Sequence, residues 1–102
     1  MFKIPIRPKY PNQTVSFVGS NQQITFRLYL RDNNFYADLY NGDKVVVLGV
    51  PVIHKKPLNQ YITENNINGY LFAICDNEAQ EMTLSDLGIT CNFFFSNELK
   101  DF

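Results

Sequence analysis

A chain of 102 residues, 45% hydrophobic and 15% aromatic with nine Phe, six Tyr and no Trp, has room for one small core and is expected to fold as a single domain over residues 1–102. Nine basic against ten acidic side chains leave a net charge of -1, which is not the footprint of a phosphate-backbone binder. No run approaches the ~20 apolar residues that span a bilayer, and Met1–Tyr10 lacks the apolar block of a signal peptide, so a soluble protein without a membrane partner is expected.

In chain order, Phe2-Lys3-Ile4-Pro5-Ile6 alternates briefly before Pro5, Pro8 and Pro11 interrupt it, which predicts an edge strand. Thr14-Val15-Ser16-Phe17-Val18 resumes the alternation up to Gly19. Ile24, Phe26, Leu28 and Leu30 then alternate with Gln23, Thr25, Arg27, Tyr29 and Arg31, the pattern of a strand with one buried and one wet face. Phe35, Ala37 and Leu39 repeat it after the turn-prone Asp32-Asn33-Asn34, so the two segments read as an antiparallel hairpin. Residue parity across that hairpin sets Arg31 near Tyr36, Tyr29 near Asp38 and Arg27 near Tyr40.

Asn41-Gly42 predicts a tight primed turn into the nearly all-apolar Lys44–Val50. A two-residue turn places Val46 and Leu48 inward, and a three-residue turn inverts them. Residues 54–68 read as polar and irregular, with one helical turn after Pro57. Tyr70–Cys75 and Thr90–Phe95 supply two further strands. Between them, Thr83-Leu84-Ser85-Asp86 carries the spacing of a capped helical turn that Gly88 ends. The fold class is therefore all-β, an antiparallel barrel or sandwich of about 6–8 strands with one or two short helical turns. Phe17, Phe26, Phe35 and Phe72 are expected in its core.

Little in the chain suggests chemistry. His54 is the sole histidine and no Cys or acidic residue flanks it at ligand spacing, which reads as a surface loop. Asp76, Glu78 and Glu81 lack the Gly and distal Glu of a calcium loop. Cys75 and Cys91 are too few and too far apart for a disulfide framework or a metal knuckle, and read as two buried free thiols. No catalytic residue, cofactor site or metal site is expected. The outer row of Arg27, Tyr29 and Arg31 beside Tyr36 and Tyr40 resembles a single-strand binding platform, although cross-strand stacking explains the same residues without a ligand. Phe94 must point away from Phe93 and Phe95, so one side of this run needs a second apolar layer, from a loop of this chain or from a partner.

The order of motifs is similar to that of a known family. Ile24–Leu30, Phe35–Tyr40, Gly49-Val50-Pro51-Val52, Leu58-Asn59-Gln60-Tyr61, Gly69-Tyr70-Leu71-Phe72 with Asp76, and Leu84–Gly88 leading into Phe93–Phe95 together resemble the small baseplate plug proteins of contractile-tailed bacteriophages, first recognised in a cyanophage. The resemblance covers nearly the whole chain and rests on order and spacing. It implies a non-enzymatic virion subunit in the central hub of the baseplate near the end of the tail tube. Its partners would be hub and tail-tube subunits, or further copies of itself. Arg27, Tyr29, Arg31, Tyr36, Tyr40 and Phe94 are the candidate contact residues, read from the strand pattern. The competing expectation is a small β-barrel that binds single-stranded nucleic acid or another ligand.

Overall fold

Alternation and tight turns build most of the molecule. The computed structural model describes residues 1–60, 64–76 and 82–97. Strands β1 (Phe2–Lys3), β2 (Gln13–Gly19), β3 (Gln22–Arg31), β4 (Asn34–Asn41), β5 (Lys44–Pro51), β6 (Tyr70–Cys75) and β7 (Cys91–Ser96) form two antiparallel sheets. One is the meander β2-β3-β4-β5, and the other is β1-β7-β6. The sheets do not join into a closed barrel, so the fold is a sandwich.

Each hairpin of the meander is closed by two residues. Ser20-Asn21 and Asp32-Asn33 all have positive φ, the type I′ geometry that matches strand twist, and Gly42 alone supplies it in the turn Gly42-Asp43. Closure on Asp32-Asn33 pairs Arg31 with Asn34, Tyr29 with Tyr36, Arg27 with Asp38 and Thr25 with Tyr40. This corrects the parity expectation by two residues, because Asn34 belongs to β4 and not to the turn.

The β4–β5 ladder carries two register shifts, between Ala37 and Leu39 and between Leu39 and Tyr40. The extra residues let Val46 and Val47 both pack toward the core and turn Leu48 outward, where it is 58% exposed. The turn is the two-residue form, yet only Val46 of the expected pair points inward.

Between the sheets lie Ile24, Phe26 and Leu28 of β3, Phe35, Ala37 and Leu39 of β4, Leu71 and Ala73 of β6, and Phe93 and Phe95 of β7. Ring contacts stitch the layers: Phe26 meets Phe93 at 5.3 Å between centroids, and Phe17 meets Phe95 at 5.6 Å. Gly19 lies against the Phe95 ring, where an added Cβ would stand 2.9 Å away. Phe72 departs from expectation. It is fully buried but on the outer face of β6, stacked on Phe94 of β7 at 6.3 Å.

Among the described residues neither expected helical turn forms a helix. Gln60 N–H donates to Pro57 carbonyl oxygen at 3.4 Å, and the continuation of that turn at residues 61–62 lies outside the described residues. In the second, the Asp86 carboxylate accepts from Thr83 N–H at 3.1 Å and from Thr83 Oγ1 at 2.7 Å, as the capping spacing requires, and the chain leaves after one turn at Gly88, φ +77°.

Candidate functional site

The outer face of the meander gathers five of the six candidate contact residues. Arg27, Tyr29 and Arg31 come from β3, and Tyr36 and Tyr40 from β4. Tyr29 and Tyr36 are directly opposite and stack at 6.2 Å with an interplanar angle of 25°. The Arg27 guanidinium stands 5.0 Å over the Tyr29 ring. Arg31 is exposed beside the Asp32-Asn33 turn, and Tyr40 is half-buried opposite Thr25. Phe94 is not part of this group, because it lies half-buried on the outer face of the other sheet.

Asp38 is the organising residue of the face, and sequence reasoning missed its role. It is on the outer side of β4 yet only 7% exposed. Its Oδ1 accepts from Gly49 N–H at 2.7 Å and from Tyr29 Oη–H at 3.2 Å, while Oδ2 lies 3.7 Å from Arg27 Nη1. Gly49 reaches the carboxylate because its φ of +66° bends β5. Burial, followed by the charge of Asp38 and the hydrogen bond to it, pushes the Tyr29 phenol above its ordinary value of 10.0, against an opposing pull from Arg27 and Arg31. The sequence signal was a lone acid in an Arg/Tyr row, followed by a glycine inside an apolar strand. Val45, 44% exposed and opposite Tyr40, and Leu48 extend this face with apolar surface.

Two other expectations need correction. Cys75 and Cys91 are not free thiols: they face each other across β6 and β7 with Cα atoms 4.0 Å apart and form a disulfide. Antiparallel pairing makes residues sixteen apart neighbours, which spacing alone does not reveal. His54 is not a solvent-facing loop residue either. It bridges to Ala73, its Nδ1 accepts from Cys75 N–H at 2.9 Å, and its Nε2 is buried. It helps to cover the edge of β6. Among the described residues no three His, Cys, Asp or Glu side chains come together as a metal site. Glu78 and Glu81 of the acidic cluster lie outside the described residues.

The arrangement is one of packed rings and a tied-down carboxylate. The family model for the cyanophage baseplate Pam3 plug gp18 matches residues 1–98. The chain belongs to this baseplate plug family. A search of curated proteins finds no match. Membership makes the chain a structural component of a phage tail baseplate, assembled with other baseplate proteins. Protein–protein contacts in general favour rigid aromatic and Arg side chains held in place before docking.

Proposed function

We propose that this plug protein is a non-catalytic subunit of the central hub, placed near the end of the tail tube and acting only through protein–protein assembly. The family match over residues 1–98 carries the reading. In this reading the outer face of β3 and β4 is one contact surface, with Arg27, Tyr29, Arg31, Tyr36 and Tyr40 meeting a hub or tube subunit and Phe94 meeting a second neighbour. Tyr29 and Tyr36, stacked on each other and held by Asp38 and Arg27, present a pre-ordered surface that loses little side-chain entropy on docking. The same packing works against single-stranded nucleic acid, since each ring already has one face taken and Arg27 is engaged by a carboxylate.

Co-expression with the hub and tail-tube proteins of the same phage, followed by size-exclusion chromatography, tests the proposal. Wild-type chain is expected to co-elute with them, and a Tyr36→Ala, Arg31→Glu variant to elute as free, folded protein. A wild-type chain that stays free of every hub and tube subunit would overturn the placement. Retention of a labelled oligonucleotide at low salt, lost at high salt, would favour the nucleic-acid reading instead.

A further inference from the structure

The four sheet edges are treated differently. β1 is two residues long, carries Lys3 and runs into Pro5. The β6 edge is covered by the chain itself, through Lys55 N–H to Ala73 carbonyl oxygen and Leu58 N–H to Leu71 carbonyl oxygen, both 2.7 Å. β5 has two register shifts and ends on Pro51. Short length, cover, bulges and proline are the usual means of preventing a sheet edge from recruiting another strand. Among the described residues β2 has none of these: Gln13–Gly19 pairs with β3 without a shift and contains no charge and no proline.

The free groups on β2 follow from the Ser20-Asn21 turn. A two-residue turn makes its flanking pair, Gly19 and Gln22, a hydrogen-bonded pair, so Gly19, Phe17, Val15 and Gln13 direct their backbone groups to β3. Thr14, Ser16 and Val18 therefore direct theirs outward, and none of the three makes a backbone hydrogen bond elsewhere among the described residues. All three are exposed. A groove of about 340 Å³ lies along the start of this edge, lined by Thr14, Val15 and Ser16 on one side and by Pro5, Arg7 and Tyr10 on the other.

The N-terminal part of the chain carries charge of one sign. The first 31 residues contain Lys3, Arg7, Lys9, Arg27 and Arg31 and no Asp or Glu. Arg7 lines the groove itself, held 5.6 Å over the Tyr10 ring. We propose that the free edge of β2 is a strand-addition site for an extended segment of another baseplate protein, with an acidic side chain of that segment meeting Arg7. The inference rests on the baseplate reading and names the kind of partner. Main-chain hydrogen bonds to Thr14, Ser16 and Val18 supply the docking, and Arg7 in the groove selects the segment.

The experiment is amide hydrogen exchange on the full chain, free and within purified baseplates, together with incorporation of Ser16→Pro and Arg7→Glu variants. Ser16→Pro removes an outward N–H that β3 does not use, a substitution edge strands tolerate. The free chain is expected to exchange Thr14, Ser16 and Val18 rapidly and the incorporated chain to protect them. Both variants are expected to fold, by circular dichroism, and to lower incorporation by at least about tenfold. Incorporated chain with these amides unprotected, or variants that incorporate like wild type, would overturn the inference and leave the baseplate role standing. Concentration-dependent dimerisation of the free chain, abolished by Ser16→Pro, would assign the edge to a second copy and overturn it as well. A chain absent from the baseplate altogether would overturn both.

Discussion

The two sheets are assembled from the chain in opposite ways. The meander uses residues 13–51 in order, with each strand joined to the next by a two-residue turn. The three-stranded sheet pairs Phe2 of β1 with Phe95 of β7 and adds β6 after the connection of residues 52–69. Local turns make the first sheet entropically cheap to close, whereas the second requires a loop of nearly the whole chain. The difference assigns the sheets different kinds of stabilisation: hydrogen-bonded turns and cross-strand pairs in the meander, deep aromatic packing and a covalent link in its partner. On topological grounds the meander is the part expected to fold first.

The largest expected effect comes from removing the aromatic link between the sheets. Phe93 is fully buried and packs against Phe26 of the meander, so Phe93→Ala is expected to cost about 4 kcal/mol in denaturant unfolding. Phe94→Ala, one residue along but on the half-buried outer face, is expected to cost less than half of that. Equal losses would mean that the outer face of the small sheet is as important to the fold as the inner one. Next is the disulfide, which closes a sixteen-residue separation within that sheet. The Cys75→Ser, Cys91→Ser double variant is expected to lose about 3 kcal/mol on the loop-entropy account. The loss should appear first as faster amide exchange in β6 and β7, with β3 and β4 still protected, and uniform loss of protection would show that the two sheets unfold as one unit.

The same division explains what was legible in the sequence. Strands of the meander were visible because alternation and turn residues are local signals: Ile24, Phe26, Leu28, Phe35, Ala37 and Leu39 all face the core as their parity requires. Register was less visible, since treating Asn34 as turn or strand shifts every outer pair, and the extra residues in β5 leave no mark in an apolar run beyond Gly49. The strands of the other sheet were found, but not their assembly. Neither the Cys75–Cys91 pairing, nor His54 folding over the β6 edge, nor Phe72 sitting outside the main core follows from periodicity, because each depends on which distant segment lies alongside. Asp38 illustrates the limit for the site. Its parity was read correctly as outward, yet the bend at Gly49 and the Tyr29 phenol bury it.

That buried carboxylate gives the smallest predicted effect and probes the meander alone. The native state holds the Tyr29 proton more tightly than the unfolded chain does, chiefly through burial and then through the neighbouring Asp38. The resulting contribution is complete below the unfolded value of about 10 and is lost as pH rises through the higher folded value, so stability should fall in the alkaline range. Tyr29→Phe is expected to cost about 1 kcal/mol at neutral pH for the lost hydrogen bond to Asp38. Above pH 10 the difference between the two proteins should shrink, because only the wild type carries this titration. Paired urea melts across that range check the point, with phenolate absorbance reporting ionisation directly. A difference that stays constant to the highest pH would mean that Tyr29 titrates alike in both states and that Asp38 is held by Gly49 and Arg27 without it.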